Sequence, residues 1–154
     1  MKKITALLLA CILVLSLAAC GSSASGPTTD GKAAYDEQEI EILGAEFTDK
    51  YTGYTSQPIP AIMVRLHFKN NSETPLYAME CFGIKAFQDG VELDFVSLND
   101  YDHQEALDFT REVKDGAEID CMAAFATTSD SPVEVRITTP TASETPLTIM
   151  TFEK

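Results

Sequence analysis

An all-β sandwich of about seven strands is the fold this sequence predicts, and three observations predict it. Seven short runs lie between Glu39 and Phe152, several of them alternating apolar with polar residues as a half-buried strand does. Turn chemistry recurs every eight to twelve residues, the spacing at which sandwiches connect their strands. Helical periodicity never extends beyond a turn or two, its best candidate lying within Asp102 to Phe109. A closed barrel of similar size is the rival architecture, because strand counting does not determine closure.

The elements follow in order. Glu39-Ile40-Glu41-Ile42 alternates acidic and apolar side chains, so one face of that strand is charged and the other apolar. After Pro60, the run from Ala61 to Phe68 sets Ile62, Val64, Leu66 and Phe68 on one face, and Asn70-Asn71-Ser72 then supplies side chains that close turns on their own backbone. Residues 77–88 form a third run. Asp89-Gly90 tolerates the positive φ angles of a tight hairpin, and 91–95 return as the partner strand. Past an acidic loop, Lys114-Asp115-Gly116 makes another turn, and Ile119, Cys121, Ala123 and Phe125 line one face of the next strand. Ser131-Pro132 restarts the chain into the alternating Val133–Ile137, and 148–152 close the domain.

The N-terminus has a different chemistry. Met1-Lys2-Lys3 is a positive leader, and Ile4 to Ala19 is an uncharged stretch of 16 residues, shorter than the roughly 20 that span a bilayer. It suits the apolar core of an export signal. Leu17-Ala18-Ala19-Cys20, followed by Gly21-Ser22-Ser23, matches the lipobox of bacterial lipoproteins, in which the Cys thiol receives diacylglycerol and the chain is cut just before it. The expected organisation is a signal peptide over 1–19, lipidated Cys20 with a flexible Gly/Ser-rich linker over 20–34, and one domain over 35–154. Each buried CH₂ of a palmitate-type chain contributes about 0.8 kcal/mol, so two or three chains hold a protein stably at the extracellular face of the cell membrane. Loss of Lys2 and Lys3 leaves 9 basic residues against 24 acidic ones, a net charge of −15. Such a surface excludes nucleic acid as a partner and repels anionic head groups, so contact with the membrane runs through the lipid.

Three segments carry a resemblance: Phe68-Lys69-Asn70-Asn71-Ser72, the hairpin Phe87-Gln88-Asp89-Gly90-Val91-Glu92-Leu93, and Ser131-Pro132-Val133-Glu134-Val135. Together they resemble a family of Gram-positive lipoprotein and secreted domains with an immunoglobulin-like fold and unknown function. The resemblance covers most of residues 36–139 and implies an immunoglobulin-like sandwich with no catalytic residues. The family usually carries Pro-Gly where this chain has Asp115-Gly116.

Reactive chemistry is sparse. His67 shares its strand face with Met63 and Arg65, and without a local second ligand or nucleophile it reads as a surface or sheet-packing residue. The segment around His103 offers Asp100, Asp102, Glu105 and Asp108 as oxygen donors for Ca²⁺, but it lacks the central Gly and terminal Glu of an EF-hand loop. A solvated acidic loop is the plainer reading. No serine lies in a nucleophile-elbow setting, so no enzyme is expected. Tyr51 and Tyr54 lie in what reads as an exposed loop. Cys81 and Cys121 are the two cysteines left after lipidation; an oxidising location admits a disulfide between them, and a pair of buried thiols is the alternative. The expected role is non-catalytic binding of an envelope or host protein, with small-ligand or cation capture by the 99–108 loop as the alternative.

Overall fold

The computed structural model describes residues 26–52, 57–96, 104–141 and 145–154. Among them run β1 (Lys32–Tyr35), β2 (Gln38–Tyr51), β3 (Ile59–Asn70), β4 (Leu76–Tyr77), α1 (Ala78–Cys81), β5 (Gly83–Gln88), β6 (Val91–Glu92), β7 (Phe95–Val96), α2 (Gln104–Asp108), β8 (Glu112–Val113), β9 (Glu118–Ala126), β10 (Val133–Thr138) and β11 (Thr148–Phe152). One sheet has the order β1-β2-β3-β9-β7 and the other β11-β10-β5-β6, while β4 and β8 form a separate ribbon. The strands of both sheets pair antiparallel. The architecture is a β-sandwich and not a closed barrel.

The inner faces follow the alternation in the sequence. Ile62, Val64, Leu66 and Phe68 of β3, with Cys121, Ala123 and Phe125 of β9, pack against Ala86 of β5 and Val133, Val135 and Ile137 of β10. Phe68 meets Phe82 edge to face, 6.3 Å between centroids. A second cluster lies on the opposite side of β3 and β9, where Ala61, Met63, Met122 and Ala124 pack with Tyr51 of β2 and Val96 of β7 against Ala106 of α2. One half of β3 is therefore buried on both faces, which is why Ala61-Ile62-Met63-Val64 reads as a continuous apolar run. Tyr51, expected in an exposed loop, is a core residue because β2 extends far enough to carry it under this cover.

Strand β2 stays in phase through a bulge. Ile42 faces Leu66 and Gly44 faces Arg65, which leaves Leu43 unpaired. The extra residue shifts parity once, so Ile40 and Ile42 before it, and Ala45 and Phe47 after it, all point to the core. Without the bulge Glu46 would turn inward. Gly44 takes φ 150° there, a conformation that other residues rarely adopt.

Further expectations are corrected. The run 77–88 is broken by the single turn α1 before β5 begins. The return strand after Asp89-Gly90 pairs only at Val91–Glu92, then crosses to the other sheet as β7. The fold begins before residue 35, because residues from Thr28 belong to it. The Thr28 amide donates to the Leu147 carbonyl at 3.0 Å and its carbonyl accepts from Ile149 at 2.9 Å, a parallel bridge to β11. Gly31, at φ 77°, then turns the chain back into β1, which pairs with β2 on the other sheet. This strap joins the two sheets; the alternation of Lys32-Ala33-Ala34-Tyr35 is too short and too small to mark it. Cys81 and Cys121, for which the sequence left a disulfide or a pair of buried thiols open, are both buried and free, held in α1 and β9 within one core cluster.

The turns match expectation. Asp89 and Gly90 have φ 53° and 80°, both positive as a type I′ hairpin requires. The Gln88 side chain is buried: its amide nitrogen donates to the Ser129 and Ser131 carbonyls, and its oxygen accepts from the Thr128 and Ser129 amides.

Candidate functional site

The half of the β1-β2-β3-β9 face that α2 leaves uncovered carries charge in rows. Strand register places Lys32 opposite Glu41, Glu41 opposite His67 and His67 opposite Asp120. The neighbouring row runs Ala34, Glu39, Lys69 and Glu118. Residues directly opposite on one face have Cβ atoms about 5 Å apart, so opposite charges meet at Lys32–Glu41, Glu39–Lys69 and Lys69–Glu118, with the His67 imidazole between Glu41 and Asp120. Lys32 Nζ lies 3.5 Å from Glu41 Oε2. His67 Nδ1 lies 2.7 Å from Asp120 Oδ1, and Nε2 lies 3.7 Å from Glu118 Oε2. An ionised carboxylate only accepts, so Nδ1 carries the proton toward Asp120. Beside these rows the sheet edge forms an open groove of about 350 Å³, lined by Lys32, Ala34, Glu39, Glu41, His67 and Lys69.

Among the described residues the polar partners of His67 are the two carboxylates, so the imidazole has an orienting group and no hydroxyl or thiol to activate. Nor does any group of three or more His, Cys, Asp or Glu side chains among the described residues have the geometry to hold a metal ion.

The residues singled out from the sequence are dispersed. Cys20, Tyr54, Asp100, Asp102 and His103 lie outside the described residues. Glu105 is exposed on α2, and Asp108 receives Arg111 Nε at 2.9 Å and the Gln104 amide at 3.2 Å, so its carboxylate is already engaged. Burial raises the Cys121 thiol to about 12, with Asp120 adding to the effect, and burial followed by the Glu80 charge raises Cys81. Neither is a nucleophile at neutral pH. Asn70, the first residue of an Asn-x-Ser sequon, is fully buried with both amide hydrogens bonded to carbonyls, so it serves as a turn residue. Sequence reasoning noted His67 but not its row, since Glu41 and Asp120 reach it only through strand pairing.

A family model for a domain of unknown function, DUF5067, matches residues 20–139. The chain belongs to this family. Three solved structures share its fold. A protein described as a candidate lipoprotein of Staphylococcus aureus subsp. aureus NCTC 8325 aligns with a TM-score of 0.61 at 10% identity, over 82% of this chain and 90% of that one. An uncharacterised β-sandwich protein of Clostridium difficile 630 aligns at 0.52 and 17%, over 87% and 97%. A candidate lipoprotein of Bacillus subtilis subsp. subtilis str. 168 aligns at 0.54 and 13%, over 81% of this chain but only 39% of its own length. No curated protein matches the chain. These likenesses establish the sandwich fold. No helix among the described residues is long and apolar enough to cross a membrane.

Proposed function

We propose that the chain is a lipoprotein, anchored through diacylglycerol on Cys20 at the extracellular face of the membrane, whose sandwich binds an envelope or host protein without catalysis. The observation that carries the binding reading is the uncovered charged half-face with its groove. Elsewhere on the same sheet α2 buries the outer surface, while here Lys32, Glu41, His67 and Lys69 remain at the surface of an open concavity. Rows of alternating charge discriminate partners by sign and register more than they add raw affinity. The motif Leu17-Ala18-Ala19-Cys20 and the lipoprotein-like neighbours support the anchor.

Photo-cross-linking in living cells tests the binding reading, with probes at Ala34 and Lys69 in the groove and a control probe at Ile149 on the other sheet. A discrete cross-linked protein from the groove positions alone is the expected result. Equal capture from all three positions, or none, overturns the assignment of this face. Metabolic labelling with a palmitate analogue tests the anchor: label is expected on the parent and lost in Cys20→Ala, and an unlabelled parent refutes lipidation.

A further inference from the structure

At positions mirrored across the line between β2 and β3 the charged half-face carries opposite charges. From this we infer that its partner is a second copy of the chain, docked face to face about a two-fold axis that runs along the strands. The inference deepens the binding reading proposed above and rests on it. A half-turn about such an axis keeps each residue at its level and reverses the strand order, so β1 of one copy lies over β9 of the other, and β2 over β3. The register then sets Lys32 against Asp120 and Glu41 against His67 in one row, and Ala34 against Glu118 and Glu39 against Lys69 in the other. Each contact occurs twice, as in every isologous interface. Lys32–Asp120 and Glu39–Lys69 are pairs of opposite sign, Glu41–His67 becomes one when the imidazole is protonated, and Ala34 leaves room for Glu118. A two-fold axis across the strands exchanges the rows instead, and opposes Glu41 to Glu39, Asp120 to Glu118 and His67 to Lys69. Sign therefore selects the axis along the strands. Within one chain Glu39 and Lys69 are opposite in register, yet no ion pair closes between them; Glu39 accepts the Asn71 amide at 3.0 Å.

Shape permits the same contact. Sheets that pack face to face keep their strands within about 30° of each other, and an axis along the strands produces that alignment. On this face α2 packs over β9, near Met63, Met122 and Ala124 and beyond the row that contains Lys32. The half-turn brings α2 opposite a level that β1 does not reach, because β1 starts at Lys32 and the residues before it cross to β11. Exposed Arg65 comes over Gly44 of the other copy, where a Cβ would meet nothing within 4 Å. The area is small. Four strands about 4.8 Å apart, crossed by three such rows, enclose on the order of 400 Å² per copy, about half of the roughly 800 Å² that each partner buries in a stable complex. The contact is therefore weak in dilute solution and gains when both copies are held on one surface, since tethering raises the effective concentration. An axis along the strands also keeps the two Thr28 residues at one level, as two anchors in a single bilayer require.

The test uses the full-length protein in living cells, with a photo-cross-linking probe at Ala34. The parent should yield an adduct of twice its mass, joined at or beside Glu118 of a second copy as read by mass spectrometry. Glu39→Lys and Lys69→Glu are then made in separate, differently tagged chains. Each variant opposes like charges twice when it pairs with itself, and each alone should lose the adduct several-fold. Co-expressed, each supplies the sign that the other has reversed, so the adduct between the two tags should return. A change of charge within one chain cannot produce that recovery. Melting curves check that both variants fold, and Lys32→Glu with Asp120→Lys provides a second cross of the same design should either melt early. Loss without recovery in both crosses, or a parental adduct that no substitution weakens, overturns the inference. An adduct with a different protein alone keeps the binding reading and overturns self-association, while no adduct of any kind overturns both.

Discussion

Asn70 is the residue whose replacement tests the account of the fold most directly. It is fully buried at the end of β3, and its side-chain amide is saturated. Nδ2 donates to the Thr74 carbonyl at 2.7 Å and to the Val113 carbonyl at 2.9 Å, and Oδ1 accepts from the Ser72 amide at 3.0 Å and the Ser72 hydroxyl at 2.7 Å. Asn70→Ala deletes all four bonds. The Val113 carbonyl, bonded in a buried setting, takes the larger penalty of an unpaired buried group, about 1–3 kcal/mol, while the part-buried partners recover water and lose about 0.5 kcal/mol each. The sum is about 3 kcal/mol, a large fraction of the roughly 5–15 kcal/mol that holds a domain folded. For a domain of this size the melting temperature should fall by about 10 °C. Asn70→Asp keeps shape but sets a carboxylate against two carbonyl oxygens, so at neutral pH it should destabilise more than Ala. Its folded carboxyl would titrate above the ordinary carboxylate value, so the variant is most stable below that value and weakens as pH rises. Thermal and urea denaturation of the three proteins at acidic and neutral pH measure this. A change within about 0.5 kcal/mol for Asn70→Ala, the range of an ordinary surface substitution, would refute the reasoning.

Three further outcomes are expected. Deleting Leu43 removes the extra residue of the bulge and leaves Ala45 and Phe47 facing inward, so that variant should fold, whereas Gly44→Val keeps the bulge, is denied φ 150° and should lose about 1–3 kcal/mol; melting curves separate them. Cys81 and Cys121 should resist a thiol reagent at about pH 8 in the native protein and both react on unfolding, and rapid native labelling would contradict the core placement. Asp30 accepts the Lys32 amide at 3.1 Å, and that bond, followed by one from the Thr28 hydroxyl, holds its carboxyl below the ordinary value. A depressed carboxyl stabilises above its ordinary value and loses that contribution as pH falls through the folded one, so Lys32 amide protection should drop on acidification and Asp30→Asn should flatten the dependence.

Local rules made most of the sandwich legible. Alternation identified β3, β9 and β10 and their inward faces, and the 148–152 run coincides with β11. Asp89-Gly90 identified its hairpin because only certain residues accept two consecutive positive φ angles. What escaped were features decided by tertiary contact. β1 is four residues long and exists because β2 offers it an edge. The 77–88 run is apolar enough for one strand, yet it has to leave the β4–β8 ribbon and enter the β11-β10-β5-β6 sheet, and the turn α1 makes that crossing. The same holds after Glu92, where the backbone switches sheets within two residues while Leu93 donates its amide to the Ala86 carbonyl at 2.8 Å.

The charged half-face was legible in its parts and not in its assembly. Glu39 and Glu41 announce one polar face, and Arg65, His67 and Lys69 another, each from simple alternation. Their meeting depends on the Leu43 bulge: β2 is in one register below it and another above, and only the lower register sets Glu41 against His67 and Glu39 against Lys69. Asp120 and Glu118 then arrive from some fifty residues away through β9, beyond the reach of any local pattern. The same parity that turns these groups outward turns Ile40, Ile42, Leu66, Phe68 and Cys121 inward. A one-residue slip of β2 against β3 would expose that part of the core and bury Glu39 and Glu41 together. The charge rows are thus held in place by core packing, and a partner that reads them is reading the register of the sheet.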